Sequence, residues 1–136
     1  MSLRSPNYPN GYPSNVRCTY TIHRRSIDIC EVEVVVHRLN LASINTLRCD
    51  ENSDHLKLPD GTILCGNNYP TKKIFTFSQS TDFMIMDFVS RDNNYGKNAK
   101  GFWIDIRQLR NSCRLRGPKS KIIYNNKKWC NLIIFI

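Results

Sequence analysis

The sequence lacks the apolar segments that would place it in a membrane. No run in this 136-residue chain approaches the roughly 18 apolar residues of a membrane-spanning helix. The first residues, Met1 to Pro6, also lack the apolar core of a secretory signal peptide. We therefore expect no membrane span, and we expect the sequence to begin inside a longer precursor.

The patterns of metal and catalytic sites are missing as well. The six cysteines include no Cys-x-x-Cys pair and form no cluster with histidine at zinc-ligand spacing. Motifs such as Gly-x-Ser-x-Gly and His-Glu-x-x-His are absent, so we interpret His23, His37 and His55 as solvated or structural side chains. The sequence thus predicts a protein that is not an enzyme and uses no cofactor or metal.

Positive charge is abundant but unevenly distributed. The formal net charge is +9, and six of these charges lie in residues 114–136, which contain no acidic residue. The preceding part is only mildly basic, which argues against nucleic acid as a partner. Residues 114–136 show neither alternation nor capping signals, so we expect a basic, disordered C-terminal tail. The alternative is a tail that binds an anionic polymer or a membrane surface.

The rest of the chain has the periodicity of β-strands. Apolar and polar residues alternate from Cys18 to Ile22 and from Cys30 to Val36, which places His37 on the outward side of its strand. Further strands are predicted over residues 55–58, 63–65, 73–78, 83–89 and 102–109. Sequences rich in Gly, Asn and Asp separate them as turns. Short strands at this spacing predict an all-β, two-layer antiparallel β-sandwich.

Several short motifs resemble those of CUB domains. These motifs are Ser5-Pro6-Asn7-Tyr8-Pro9, Tyr12-Pro13, Cys18-Thr19-Tyr20-Thr21-Ile22, Cys49 before Asp54 to Leu58 and Asp60-Gly61, Cys65-Gly66 with Pro70, and Phe88-Val89-Ser90 before Gly101-Phe102. They follow the family's order over residues 5–109. The amino-acid sequence from Cys18 to His23, with Cys30 at the start of the next predicted strand, is similar to that of arthropod CUB domains in particular.

The resemblance implies a CUB-like jelly-roll sandwich in residues 5–113, followed by the basic tail 114–136. CUB domains work in secreted or cell-surface proteins, where they recognise proteins or glycans and perform no chemistry. We therefore expect an extracellular, non-catalytic binding module with neighbouring domains in a longer parent chain. The cysteine content agrees with an oxidising compartment. The alternative is a regulatory CUB fragment of a secreted trypsin-like or astacin-like protease.

The cysteines are expected to form disulfides. The resemblance pairs Cys49 with Cys65, and closing this loop of about 16 residues would contribute about 3 kcal/mol to stability. Cys18 and Cys30 flank a predicted turn, so antiparallel pairing could bring them to disulfide distance. Two alternatives remain open: Cys18 pairs with a family cysteine upstream of this sequence, or Cys30 pairs with Cys113.

The resemblance also raises the question of calcium. Many CUB domains bind calcium through three carboxylates in loops at one end of the sandwich. Asp54 matches the second of these ligands, but Ala42 stands near the position of the first. Arg91 takes the place of the third, and Asp92 is displaced by one residue. Since affinity in oxygen-only sites depends on the charge of the ligands, we expect no calcium binding there.

Partner contacts are expected from aromatic and basic side chains in turns or on outward strand positions. The predicted partner-binding residues are Tyr8, Tyr12, Tyr69, Tyr95, Trp103, Arg24 and Arg25. Tyr and Trp supply large, rigid contact areas, and Arg can meet acidic groups. The alternative is that Tyr8 and Tyr12 pack the N-terminal turns onto the sandwich, while the basic residues remain solvated.

Overall fold

The protein is an assembly of short β-strands, as shown by a computed structural model. The structure describes residues 1–25, 29–42, 49, 52–68, 70–78, 80–91, 99–109, 121–127 and 130–136. At residues 68 and 121–127 it describes the backbone alone. The strands in these ranges are β1 (Ser2–Arg4), β2 (Arg17–His23), β3 (Glu31–Asn40), β4 (His55–Lys57), β5 (Ile63–Leu64), β6 (Asn67–Asn68), β7 (Thr71–Thr76), β8 (Phe83–Val89), β9 (Gly101–Leu109), β10 (Lys121–Lys127) and β11 (Cys130–Phe135).

The strands form two sheets. In sheet I, β1 pairs with β9, β9 pairs with β3, and β3 pairs with both β6 and β7. Sheet II has the order β10-β11-β2-β8-β4-β5. All pairs are antiparallel except β11 and β2, which run parallel. The predicted all-β, two-layer sandwich is confirmed, although Asn67 and Asn68, in one of the Gly- and Asn-rich sequences interpreted as turns, form the short strand β6.

The core lies between the two sheets because each long strand alternates buried and more exposed side chains. In sheet I, Val32, Val34 and Val36 of β3 are buried at every second position. The rings of Tyr20 and Phe102, one from each sheet, lie 6.1 Å apart in an edge-to-face arrangement that is favourable for aromatic pairs. Burial raises the pKa of Tyr20 above its ordinary value.

The C-terminal segment differs from the disordered tail expected from the sequence. Strand β10 pairs with β11, and β11 extends sheet II beside β2. Its buried side chains are Cys130, Leu132, Ile134 and, directly after the strand, Ile136. The prediction was wrong for 121–127 and 130–136, because apolar Ile133 and Phe135 occupy the alternate positions and hide the period of two. Residues 110–120 lie outside the described residues.

One disulfide fastens this segment to the sandwich. Cys18 is bonded to Cys130, with Cα atoms 4.7 Å apart. The expected Cys18–Cys30 pair was therefore wrong. The reason is that Cys18 lies on β2 in sheet II, whereas Cys30 directly precedes β3 in sheet I, so the two segments are not antiparallel neighbours.

The pair implied by the family resemblance is confirmed. Cys49 is bonded to Cys65, with Cα atoms 5.6 Å apart. Cys30 is also disulfide-bonded, and Cys113, its alternative partner in the sequence analysis, lies outside the described residues.

Close backbone packing ties the N-terminal turns to β9. Gly101 has φ +103°, and a Cβ at this position would lie 1.8 Å from Ser5 Oγ. Ser5 Oγ accepts a hydrogen bond from the Phe102 amide at 3.0 Å, and the Ser5 amide donates to the Phe102 carbonyl. Only glycine therefore fits here. The contact fixes the direction in which the chain leaves β1 towards Tyr8 and Tyr12.

Within the described residues, the structure has no helix that is long and apolar enough to span a membrane.

Candidate functional site

An aromatic and charged cluster lies on the outward side of sheet I. Because Leu3, Val36 and Ile104 point into the core, their neighbours along β1, β3 and β9 project outwards. The strand register places Arg4 opposite Trp103 and Ser2 opposite Asp105. A register shift between Val36 and Arg38 brings His37 to the same area. We call Arg4, Tyr8, His37, Trp103 and Asp105 the outer-face cluster.

Ring contacts hold the cluster together. The His37 and Trp103 rings lie 4.5 Å apart at an angle of 32°. The Arg4 guanidinium lies 5.3 Å from the centre of the Trp103 ring and 5.8 Å from that of Tyr8. These distances are in the range of cation–π interactions, which orient long side chains at a surface. The cluster is therefore arranged before any partner arrives.

Asp105 joins the cluster to its strand neighbours. Its Oδ2 lies 2.7 Å from His37 Nε2 and 3.6 Å from an Arg107 nitrogen. Its Oδ1 accepts a hydrogen bond from the Ser2 hydroxyl. Burial raises the pKa of Asp105, but the hydrogen bonds from Ser2 and His37 outweigh it, and the pKa lies below its ordinary value. The carboxylate thus stays charged and orients both partners.

This arrangement is not that of a hydrolytic triad. In a triad the histidine contacts the nucleophile and the carboxylate lies behind the histidine. Here Asp105 lies between Ser2 and His37, so the imidazole is not bonded to the hydroxyl that it would have to activate. The geometry suits a rigid contact surface rather than proton transfer.

A cleft of about 440 Å³ borders the cluster. Its lining includes Tyr8, His37, Arg38, Asn40 and Lys100, with basic groups and no carboxylate among its described residues.

The predicted partner-binding residues separate into different environments. Tyr8 and Trp103 lie in the outer-face cluster, and Arg25 is exposed with its guanidinium 5.8 Å from the Phe135 ring. Tyr69 and Tyr95 lie outside the described residues. Sequence reasoning did not single out Arg4, His37 and Asp105, which belong to the same cluster. The alternation of β1 and β9 could have placed them on one face.

Arg24 corrects the expectation that it contacts a partner. Its side chain is only 7% exposed, and its Nε donates to Asp82 at 3.0 Å. Its two terminal nitrogens donate to the carbonyls of Ile29 and Ser78, and the guanidinium lies over the Phe77 ring. Arg24 is a structural residue because a turn that looks exposed in the sequence is covered by two other segments.

Tyr12 also differs from the prediction, and it agrees with the packing alternative. The residue is buried, and its hydroxyl donates to Asp54 Oδ2 at 2.7 Å and accepts from the Ala42 amide at 2.8 Å. Burial raises the pKa of Tyr12 above its ordinary value; the Ala42 bond lowers it, while the hydrogen bond to Asp54 and its charge raise it. The phenol therefore stays protonated and donates to the carboxylate.

The residues at the family's calcium position do not fit the metal. Asp54 is 1% exposed, and its two oxygens already accept from the Tyr12 hydroxyl and the Arg91 amide, each at 2.7 Å. Ala42 is buried and has no side-chain oxygen. Among the residues that the structure describes, no three acidic, histidine or cysteine side chains are grouped as a metal site would need. Asp92 lies outside these residues.

Comparisons with known proteins agree with this architecture. A search of curated proteins finds no match. The CUB1-EGF-CUB2 domain of human MASP-1/3 matches with a TM-score of 0.58 at 22% identity, over 80% of this chain and 41% of that chain. The CUB1-EGF-CUB2 domains of rat MASP-1 match with a TM-score of 0.58 at 21% identity, over 80% and 40%.

The chain thus spans about two fifths of each of these two solved structures. Those structures support the fold, and the sequence family is shown separately. The family model of the CUB domain matches residues 1–105, which is more than half of the chain. The chain therefore belongs to the CUB family, whose domains are generally non-catalytic extracellular binding modules.

Proposed function

We propose that this CUB domain recognises an extracellular protein partner through the outer-face cluster. The observation that carries the proposal is the preassembled contact of Arg4 with Trp103 and Tyr8 on the outward side of sheet I. Trp, Tyr and Arg are the residue types that dominate binding energy in protein interfaces. A partner would meet them without first having to order them.

Rigidity supports this surface over other exposed aromatic residues. Asp105 and His37 fix the cluster from one side, and the Ser5–Phe102 hydrogen bonds fix the turn that presents Tyr8. A contact surface that is already ordered loses less conformational entropy on binding. Phe83, by contrast, is 43% exposed, and among the described residues it has a ring contact with His23 but no cation–π contact.

The proposal can be tested with a peptide library displayed on phage and selected on the immobilised domain. Selected peptides should lose about tenfold or more in affinity when Arg4→Ala or Tyr8→Ala replaces the wild type. Phe83→Ala is the matched control, since it removes an exposed aromatic ring from the other sheet. Selected peptides that bind Arg4→Ala and Tyr8→Ala as tightly as the wild type, while Phe83→Ala weakens them, would contradict it.

The domain also fits a longer parent chain. The human MASP-1/3 and rat MASP-1 structures each contain CUB domains beside an EGF domain. We propose that this module likewise works beside other extracellular domains, which it would position against the partner. Sequencing the full transcript should reveal further extracellular modules in the same reading frame. A transcript that encodes this domain alone would contradict the proposal.

A further inference from the structure

Strand β7 forms an open edge of sheet I. It pairs with β3 on one side, and among the described residues no strand pairs with its other side. Unpaired backbone groups along such an edge are a template for another strand. Ile74, near the middle of β7, is 51% exposed, more than any other large apolar side chain that the structure describes. The edge thus offers both backbone groups and an apolar side chain to a further strand.

The hydrogen-bond pattern shows which residues of β7 present free backbone groups. The Phe77 amide donates to the Cys30 carbonyl at 2.8 Å, in register with the ladder between β3 and β7. In an antiparallel pair, every second residue directs its amide and carbonyl to the neighbouring strand. Phe77 and the residues two and four before it therefore bond towards β3. The residues between them direct their backbone groups to the open edge: Lys72, Ile74 and Thr76.

These three residues make the edge complementary to itself. If the β7 strands of two copies run antiparallel with a two-fold axis at Ile74, Ile74 faces Ile74, and Lys72 faces Thr76 of the other copy. Each facing pair joins two residues whose backbone groups are directed to the edge, so it exchanges two hydrogen bonds. The register therefore forms about six hydrogen bonds in all. It also brings two β-branched side chains together, which is a favourable cross-strand pair.

The positive charge of β7 is compatible with this register. Charged side chains, especially Lys, commonly protect edge strands from pairing, and β7 contains Lys72 and Lys73. Lys73 is ion-paired with Asp60, and in the two-fold register it faces Phe75 rather than another cation. The two Lys72 side chains start from positions about 14 Å apart along the strands, beyond the Debye length of roughly 8 Å in physiological salt. A register shifted by two residues would instead place Lys73 opposite Lys73.

A groove of about 520 Å³ opens beside the same edge. Its walls are formed by residues 74–78 from the β7 side and by residues 83–85 of β8. Asp60 is the one charged side chain in the described lining, and its carboxylate is already paired with Lys73. A strand that approaches the edge therefore meets an apolar surface without an unpaired charge.

We propose that this chain forms a two-fold dimer in which β7 pairs with the β7 of a second copy and joins the two copies of sheet I. A second copy is favoured over an unrelated strand because the edge matches itself in hydrogen bonding, apolar side chain and charge at once. The contact is small, so the dimer should be weak, with a dissociation constant between about 1 μM and 1 mM.

The dimer would have a consequence for recognition. A two-fold axis that runs through the joined sheet places both outer-face clusters on the same side of it. A partner with repeated sites would then bind both clusters and gain affinity from the second contact. This consequence rests on the proposed function, whereas the dimer itself does not.

The first test is sedimentation velocity of the full chain at concentrations up to about 1 mM. Ile74→Pro removes an amide that points to the open edge and leaves the ladder with β3 intact, a position where proline is tolerated. It should raise the dissociation constant of the dimer about tenfold or more, because it removes donors and blocks the edge. Ile74→Val is the matched control, since it keeps the amide and the β-branched side chain, and should change the constant by less than about threefold.

A pair of charge variants tests the two-fold axis without a proline. Because Ile74 faces itself, Ile74→Lys alone and Ile74→Glu alone each place like charges opposite one another and should weaken the dimer about fivefold or more. An equimolar mixture places opposite charges there and should associate about fivefold more tightly than either variant alone. Asn10→Lys and Asn10→Glu add the same charges to an exposed turn, and they should sediment like the wild type, both alone and mixed.

Several results would overturn the proposal. A wild-type chain that stays monomeric up to about 1 mM would do so. A dimer that Ile74→Pro leaves unchanged, or a mixture that associates no more tightly than its components, would place the contact on another surface. Oligomers that keep growing with concentration would show open-ended association instead of a two-fold contact. None of these results bears on peptide binding by the outer-face cluster.

Discussion

Asp54 and Asp105 show how one functional group serves two purposes in the same sandwich. Asp54 is 1% exposed, and it accepts hydrogen bonds from a phenol and a backbone amide. The side chain of Asp105 is 17% exposed, and its partners are Ser2, His37 and Arg107 on an outward face. The first carboxylate joins loops to the body, and the second orients side chains that face solvent.

The difference between the two carboxylates follows from where their hydrogen-bond partners lie in the sequence and in the sheets. Tyr12, Ala42 and Arg91 lie far apart in the sequence, and their hydrogen-bond network through Asp54 brings three segments together at one end of the sandwich. The partners of Asp105 lie on adjacent strands that already pair through their backbones. Loss of Asp54 should therefore be felt by the fold, whereas loss of Asp105 should be felt mainly by the surface.

The largest expected effect is on stability. Asp54→Ala should lower the free energy of unfolding by about 3–5 kcal/mol, because it leaves a buried hydroxyl and a backbone amide without their acceptor. Asp105→Ala should cost only about 1 kcal/mol, since its ion pairs are near the surface. Urea unfolding followed by fluorescence measures both. Equal losses would break the distinction between the two carboxylates.

A smaller loss of stability is expected when the Tyr12 hydroxyl, which donates a hydrogen bond to Asp54, is removed. Tyr12→Phe keeps the ring packed against Phe88, where the centroids are 5.1 Å apart, but removes the bridge to Ala42 and Asp54. It should cost about 1–2 kcal/mol in the same unfolding experiment. Tyr8→Phe is the control and should change stability little. A neutral Tyr12→Phe would mean that the hydroxyl bridge does not hold the loops.

Acid should weaken the Asp105 contacts by well under 1 kcal/mol, roughly in line with other surface pairs. Its folded pKa lies below the ordinary value of 3.8, so the unfolded chain binds the proton more readily. The stabilisation is fully present above that ordinary value and is lost as the pH falls through the lowered pKa. The stability difference between wild type and Asp105→Asn should shrink over this window. A difference that grows on acidification would contradict the assignment.

Calcium should not bind at the end of the sandwich that contains Asp54. Calorimetric titration of the refolded domain should show no saturable binding tighter than about 1 mM, because the carboxylate is occupied and Ala42 and Arg91 supply no negative charge. Saturable binding that disappears on Asp54→Ala would show that the hydrogen-bonded carboxylate can still be recruited by the metal.

The sequence was sufficient for much of the sandwich. Alternation at Cys18 to Ile22 and Cys30 to Val36 predicted β2 and β3, and the resemblance to CUB domains implied the Cys49–Cys65 bond. It failed at 130–136, where apolar residues stand on both sides of the strand. The same failure hid the partner of Cys18, since Cys130 was assigned to a tail and was not considered.

Site residues were harder to predict than strands. A turn residue such as Arg24 is exposed only if no other segment covers it, and the segment containing Ser78 and Asp82 does cover it. For the same reason the sequence left two interpretations of Tyr12 open, a partner contact and a residue that packs the N-terminal turns onto the sandwich. Trp103 and Tyr8 were predicted as partner-binding residues by their type, but grouping them with Arg4, His37 and Asp105 required the pairing of β1 with β9 and the register shift in β3.

The most direct test of the account is the affinity of a library-selected peptide in excess calcium and in excess chelator, for wild type and Tyr8→Ala. The account predicts the same dissociation constant in both buffers and a loss of about tenfold or more on Tyr8→Ala. Binding that requires calcium and ignores Tyr8→Ala would place recognition at the Asp54 end and contradict the central claim.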